Sequence, residues 1–120
     1  MTVTQKLILG HLSIMAFIQS HIIYRIGELT EGWKKDNHIQ HESDQLAGKI
    51  EIMKRIFSNF NPEIEDQEQL LKLKSFLERD LKKLHFDIQN DKVDERFFEP
   101  LKDYILVVND IIDLLKIKVC

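Results

Sequence analysis

The chain has 120 residues, of which 43% are hydrophobic and 31% are charged, and its formal net charge is −3. This length and apolar fraction predict one folded domain over residues 1–120 and exclude a disordered chain. The slight acidity gives the whole molecule no electrostatic attraction to nucleic acid or to an anionic membrane. Its one cysteine, Cys120, excludes an internal disulfide framework and fits a reducing compartment.

The first predicted helix begins near Thr2 and contains the most apolar stretch of the chain, Leu7 to Leu29. Thr2 and Gln5 have the spacing of a capping box, which marks a helix start. The helical period predicts one buried stripe, formed by Ile8, Leu12, Met15, Ile22, Ile26 and Leu29, with Leu7 and Ile18 beside it. Because this segment has no charged face, we expect the helix to be buried on most sides.

The part of this stretch from Leu7 to Tyr24 is about long enough to cross a bilayer, so a membrane span and a signal peptide are the competing interpretations. A signal peptide needs a basic start and a small-residue cleavage site, and neither is clear here. The polar residues inside the stretch favour a buried helix of a soluble protein; they are His11, Ser13, Gln19, Ser20 and His21. We therefore expect no membrane partner and a cytoplasmic location.

The back of the first helix carries a second pattern that predicts self-association. Its residues repeat alternately at three and four positions; they are Gly10, Ser13, Phe17, Ser20, Tyr24 and Gly27. This spacing is that of a heptad seam between two helices, and each of the two aromatic side chains can bury roughly 150–250 Å². A second copy across a two-fold axis, giving a homodimer, is the simplest partner. The alternative is a monomer in which the fourth helix covers this side.

Three further helices follow from apolar stripes at helical spacing. The second is predicted over Ser43 to Asn59 and the third over Pro62 to Ile88, with Asn61 as its N-cap. The two stripes are Leu46, Ile50, Met53 and Phe57, and then Leu70, Leu73, Leu77, Leu81, Leu84 and Ile88. Between the first two helices, the polar stretch from Glu31 to Ser43 is the most loop-like segment.

The fourth helix is predicted from about Asp94 to Lys118. Its stripe is Leu101, Ile105, Val108, Ile112, Leu115 and Val119, widened by Ile111 and Leu106. Pro100 leaves two possibilities for its start: either Glu99 is the boundary, or a short turn precedes the main helix. Four helices with short connections predict an all-α fold, an antiparallel up-down four-helix bundle.

The third helix contains the stretch Arg79-Asp80-Leu81-Lys82-Lys83-Leu84-His85. This stretch resembles the Arg…His motif of HEPN domains, which are all-helical bundles and often dimeric ribonucleases. The resemblance implies that His85 acts as acid or base at a ribose 2′-OH and that Arg79 stabilises the phosphorane charge. Asp80 would occupy the polar position after the Arg. RNA is a partner only in this interpretation. In an unbroken helix, residues six apart point about 120° away from each other, so Arg79 and His85 converge only across a break or a dimer interface. Otherwise both are solvated or boundary residues.

Two other histidine patterns carry weaker implications. His38, His41 and Glu42 form a metal-like cluster, but the paired Glu-x-x-His motifs of a di-iron bundle are missing, and we expect no bound metal or cofactor. Gly10-His11-Leu12 resembles the phosphorylated His of two-component phosphotransfer bundles. The Lys and Gly that normally follow are replaced by Ser13 and Ile14. We therefore expect His11 to be a hydrogen-bonded residue at the edge of the core.

The overall pattern favours a non-enzymatic protein. The chain has no P-loop, dinucleotide fingerprint, nucleophile elbow or cysteine-pair zinc motif. Trp33 either covers one end of the bundle or anchors a partner. The sequence thus predicts a helical interaction or regulatory protein, such as an adaptor, inhibitor, antitoxin or immunity-type module. It would contact a protein partner through a helix surface that includes Phe17, Ser20, Tyr24 and Trp33.

Overall fold

The structure is a computed structural model that describes residues 2–31, 36–90 and 92–119, with side chains described for 2–20, 40–90 and 92–116. This part of the chain forms four long helices, α1 (Val3–Glu31), α2 (Asp36–Phe57), α3 (Gln67–Gln89) and α4 (Phe98–Val119). Short 3₁₀ turns at Pro62–Ile64 and Glu95–Phe97 precede α3 and α4. The predicted all-α four-helix bundle is confirmed.

Successive helices run in opposite directions, and the link between α2 and α3 crosses the bundle. α1 packs against α2 and α3, and α4 packs against the same two helices, so α1 and α4 are diagonally opposed. The hydrogen-bonded pairs Thr4–Glu65 and His11–Asp80 advance together along the chain, so α1 and α3 are parallel neighbours. α2 and α4 are parallel neighbours as well.

The core is one cluster of buried hydrophobic side chains, most of them aliphatic, from all four helices and from the segment before α4. Most of the predicted stripe residues lie in it, because a helix at the surface of a bundle buries one face and solvates the other. The stripe residues that are buried in α2, α3 and α4 are Leu46, Ile50, Met53, Leu70, Leu73, Leu77, Leu84, Leu101, Val108, Ile112 and Leu115. Phe57, Leu81, Ile88 and Ile105 are partly buried against this cluster.

The predicted stripe of α1 is correct in part: Leu7, Ile8, Met15 and Ile18 are buried. Ile22, Ile26 and Leu29 lie outside the residues whose side chains are described. Leu12, which we expected in the core, is 41% exposed. The buried seam instead repeats at three and four positions through Thr4, Leu7, His11, Ile14 and Ile18. Two of these five residues are polar, so apolarity alone did not reveal the seam. Much of α1 between residues 2 and 20 faces solvent, which also contradicts the expectation that this helix is buried on most sides. On α4, Leu106 was predicted to widen the core and is 60% exposed.

Helix starts differ from the predictions because polar side chains took other partners. α2 begins at Asp36 rather than Ser43. Ser43 therefore lies inside the helix, where its buried hydroxyl donates to the carbonyl of Arg96 at 3.0 Å. Asn61 caps only the 3₁₀ turn, whereas Asp66 caps α3 by accepting from the backbone N–H groups of its first turn. For α4 the structure has the short turn before Pro100.

Candidate functional site

A buried histidine connects three of the four helices. His11 on α1 is 1% exposed, and its Nε2 lies 2.9 Å from Oδ2 of Asp80 on α3. Its Nδ1 is hydrogen-bonded to the hydroxyl of Tyr104 on α4. Because an ionised carboxylate can only accept, we assign the Nε2–H as donor to Asp80 and the Tyr104 hydroxyl as donor to Nδ1. One imidazole thus ties α1 to both α3 and α4.

Arg79 forms the solvent-exposed end of this network, because its side chain donates to the carboxylate of Asp80, the next residue in sequence. Its Nε donates to Oδ1 of Asp80 at 3.0 Å and its Nη2 to Oδ2 at 3.4 Å. The guanidinium also lies over the ring of Phe76, 5.2 Å from the ring centroid. The Asp80 carboxylate therefore accepts from His11 on its core side and from Arg79 on its solvent side.

The protonation states follow from burial and from these hydrogen bonds. Burial lowers the pKa of His11 below its ordinary value, although the bond to Asp80 acts in the opposite direction. Burial alone would raise the pKa of Asp80, but the hydrogen bonds from Arg79 and His11 outweigh it and hold that pKa below its ordinary value. Burial, helped by the charge of Asp80, raises the pKa of Tyr104. At neutral pH the network holds a neutral imidazole, a neutral phenol and an ionised carboxylate.

Carboxylate, imidazole and hydroxyl occur here in the order of a nucleophilic triad, but access to the hydroxyl is blocked. Tyr104 is 1% exposed and His11 equally so, so a substrate has no path to either side chain. The raised pKa of Tyr104 also opposes formation of a phenolate nucleophile. The arrangement is therefore structural: it satisfies three buried polar groups and positions α1, α3 and α4 relative to one another.

The structure does not assemble the predicted Arg79–Asp80–His85 constellation within one chain. α3 is an unbroken helix from Gln67 to Gln89, so Arg79 and His85 project about 120° apart. Asp80 is turned into the core, whereas Arg79 and His85 are exposed. The structure thus brings Arg79 and Asp80 together and leaves His85 apart from them.

The predicted seam on the back of α1 is partly covered by α2. Phe17 is half-buried against the core, and the ammonium of Lys49 lies 5.9 Å from its ring centroid. Lys49 also donates to the hydroxyl of Ser13 at 3.3 Å, and a Cβ at Gly10 would lie 3.9 Å from the side chain of Met53. α2, and not α4 as the monomer alternative had it, therefore covers this part of the seam.

Of the other three predicted interface residues, only Ser20 has a described side chain. Ser20 is exposed beside the covered part of the seam. Tyr24 and Trp33 lie outside the residues whose side chains are described, as does His38 of the metal-like cluster. Across the described side chains, no three His, Cys, Asp or Glu residues group as a metal site. No helix in the described ranges has the length and apolarity needed to cross a membrane.

A different face of α1 is open. We define the α1 outer face as Gln5, Leu9, Leu12, Ala16 and Gln19, all of which are exposed. Leu9 is 53% and Leu12 41% exposed. The five residues alternate at spacings of four and three, the pattern of a heptad seam. Among the exposed residues of α1 up to position 20, only Lys6 is charged. This face is thus unusually apolar and uncharged for a surface helix.

The buried network was missed because each member was considered on its own helix. His11, Asp80 and Tyr104 each occupy a core position among aliphatic neighbours, such as Asp80 between Leu77 and Leu84. Since a buried polar group needs a partner, three polar residues at core positions of three helices are a signal that they meet. The sequence contained this signal, but it could not say which residues pair.

Comparison with protein-family models, with curated proteins and with solved structures finds no match to this chain. A four-helix bundle by itself implies no activity, because this architecture hosts many unrelated functions. Functional inference therefore depends on the α1 outer face, on the closed network and on the charged surface of α3.

Proposed function

We propose that the protein is a non-enzymatic interaction module that self-associates through the α1 outer face to form a homodimer. The observation that supports this is an exposed heptad repeat with two leucines at its centre and no charge within it. Full burial of an exposed leucine side chain is worth about 1.5–3 kcal/mol. Leu9 is 53% and Leu12 41% exposed, so a dimer that buries both from each copy gains roughly half of that per side chain. An adaptor, inhibitor, antitoxin or immunity-type role stays the prediction for the protein partner.

The α1 outer face is complementary to itself when two copies run antiparallel. With Leu12 near the two-fold axis, Gln5 lies opposite Gln19 of the second copy, and Leu9 lies opposite Ala16. Large side chains then meet small ones, and the amides at each end can hydrogen-bond. Since the face has no acid or base, self-pairing brings no like charges together. A two-fold pair of identical surfaces is also the commonest protein assembly.

The interface residues predicted from the sequence contribute less to this proposal than the α1 outer face does. Ser20 lies at the edge of the α1 outer face, and Tyr24 and Trp33 stay predicted contacts. Phe17 supports α1 against α2 rather than meeting the second copy. The single cysteine, Cys120, supports a cytoplasmic location.

Light scattering on wild type and on single charge substitutions tests the dimer. We expect a dimer for wild type and a folded monomer for Leu12→Glu, because the dimer would place two carboxylates together at its apolar centre. Ile52→Glu on α2 is the matched control, since Ile52 is 56% exposed and outside the α1 outer face. It should stay dimeric. Wild type that is monomeric at high micromolar concentration contradicts the proposal.

The alternative is a HEPN-like ribonuclease, or an inactive relative, that uses Arg79 and His85. It requires two chains to bring these side chains together, because they point apart on α3. Incubation with single-stranded RNA in EDTA tests it: cleavage that Arg79→Ala and His85→Ala each abolish supports the ribonuclease. Absence of cleavage, or cleavage that is unchanged in both variants, removes this alternative.

A further inference from the structure

The exposed side of α3 carries a line of cationic and apolar residues that the proposed dimer does not use. We define the α3 outer strip as Leu71, Ser75, Arg79, Lys82 and Phe86, which are all exposed and three or four positions apart. The line covers about 22 Å at 1.5 Å per residue. Leu71 is 50% exposed at one end and Phe86 is 57% exposed at the other. Cations occupy the stretch between them.

This strip is locally positive although the chain has a net charge of −3. Lys72 and Lys83 flank it, and the ammonium of Lys92 lies 5.9 Å from the ring centroid of Phe86. Within the described chain, Lys72 and Lys82 have no carboxylate partner. The acids that pair with Arg79 and Lys83 are both buried below the surface; they are Asp80 and Asp87. Glu78 is an exposed acid on the same surface, and it pairs with Lys74 at 3.3 Å. Lys72, Arg79, Lys82 and Lys83 are exposed around it, so cations outnumber this carboxylate along the strip.

Arg79 is prepared to hold an anion at the centre of the strip. Its Nε and Nη2 are engaged by Asp80, and its plane is supported by the ring of Phe76. A guanidinium has five N–H donors in a fixed plane, so donors remain on the outward edge. Because the side chain is already ordered, little of its rotamer freedom is left to lose on binding.

We propose that the α3 outer strip docks an acidic protein segment that has an apolar side chain near each end. The carboxylates of such a segment complement Arg79 and Lys82, and its apolar ends cover Leu71 and Phe86. A single-stranded nucleic acid fits less well, because it is held by successive aromatic stacking platforms. The strip offers one ring, with Lys92 beside it, and an aliphatic leucine. The five residues of the strip are outside the α1 outer face, although the flanking Lys72 lies beside Gln5 and Leu9. The docking proposal does not depend on the proposed dimer.

Fluorescence anisotropy with defined probes tests the docking proposal on the full chain. The probe is a labelled helical peptide of about five turns, with glutamates in the middle and a leucine near each end. The same peptide with glutamine in place of glutamate and a labelled oligouridine strand are the comparison probes. We expect the glutamate peptide to bind, to weaken as salt is raised, and to bind roughly tenfold more tightly than the glutamine peptide.

Two charge reversals show whether binding is local to the strip. Lys82→Glu should weaken binding of the glutamate peptide by roughly three- to tenfold, the effect of losing one exposed charge pair and adding a repulsion. Lys116→Glu makes the same net change at an exposed position of α4, and it should change affinity less than about twofold. Phe86→Ala should also weaken binding, because it removes one apolar anchor.

Three outcomes overturn the proposal. Wild type that does not bind the glutamate peptide at low salt lacks the docking site. Equal losses in Lys82→Glu and Lys116→Glu mean that only the net charge matters. Tighter binding of oligouridine than of the glutamate peptide assigns the strip to nucleic acid. All three variants change exposed side chains, and circular dichroism verifies that each is folded.

Discussion

His11 shows how a polar residue becomes part of a bundle core. Taking an imidazole out of water costs free energy unless both ring nitrogens find partners. Here Asp80 and Tyr104 supply them from two other helices. The hydrogen bonds are directional, so they favour one axial position of α1 over positions that aliphatic packing alone would tolerate. The network contributes uniqueness of packing as well as stability.

The first prediction compares two buried hydroxyl groups, one that is hydrogen-bonded and one that has no hydrogen-bond partner among the described residues. Tyr104→Phe leaves Nδ1 of His11 without its donor and should lower the free energy of unfolding by about 1–3 kcal/mol. Thr4 is fully buried, and its hydroxyl has no partner among the described residues. Thr4→Val therefore should leave stability unchanged or raise it. Urea denaturation measures both, and equal losses in the two variants would contradict the assigned network.

The second prediction is loss of stability in mild acid. The pKa of His11 is lower in the folded protein than the ordinary value of 6.5, so below that value the unfolded chain takes up a proton that the folded chain does not. Stability is present above the unfolded pKa and is lost as the pH falls from there toward the folded pKa. The lowered pKa of Asp80 extends this loss below 3.8.

Denaturant unfolding at several pH values between about 7 and about 5 measures the slope of the free energy of unfolding against pH. We expect wild type to lose stability over this range and His11→Gln, which does not titrate, to show a smaller dependence whatever its absolute stability. His85→Gln on the exposed side of α3 is the control and should keep the wild-type slope. A His11→Gln slope equal to that of wild type would place the titrating group elsewhere.

α3 is the clearest amphipathic helix, and its two sides should respond differently to the same substitution. Leu77 is fully buried, and Leu77→Ala should lower the free energy of unfolding by about 2–5 kcal/mol because it leaves a cavity. Leu71→Ala on the exposed side should change it by no more than about 0.5 kcal/mol. Similar values in urea denaturation would mean that the orientation of α3 is wrong.

Phe17 tests how α1 meets α2. Because its ring packs against the core and beside Lys49, Phe17→Glu should place a carboxylate in a half-buried apolar contact. We expect a lower thermal unfolding temperature for this variant, and unfolding of the whole domain if the loss is large. Ile52→Glu on α2 is the control, because Ile52 is 56% exposed and outside the α1 outer face, and it should stay near wild type. A fully stable Phe17→Glu monomer would instead restore Phe17 to a dimer seam.

The described part of the molecule combines an apolar core, which contains the closed His11 network, with two chemically different open faces, the α1 outer face and the α3 outer strip. The α1 outer face is uncharged and the α3 outer strip is cationic, so they suit different occupants. If the uncharged face forms the dimer, association stabilises the folded state by mass action. The thermal unfolding temperature of wild type should then rise with protein concentration, and that of Leu12→Glu should not. A wild-type value independent of concentration would contradict self-association.

Helical periodicity in the sequence was enough to predict the number of helices, the bundle and most of the core of α2, α3 and α4. These features depend on local repetition of apolar residues, and neighbours three and four apart share a helix face in any packing. The α3 stripe around Leu77 is the best example. Helix starts were less predictable, because Asn61 and Asp66 have the same capping chemistry and lie close together in sequence. Asn61 caps the 3₁₀ turn and Asp66 caps α3.

Tertiary structure alone decided that Leu12 lies outside the core and what the polar residues of the core do. Leu12 and Leu7 are equally apolar, yet the bonds that His11 makes to α3 and α4 turn Leu7 inward and Leu12 outward. Asp80 belonged to a possible catalytic motif in sequence, and packing made it the partner of a buried imidazole. Pairings between residues 69 and 93 positions apart depend on how whole helices are arranged, and local sequence patterns do not contain that information.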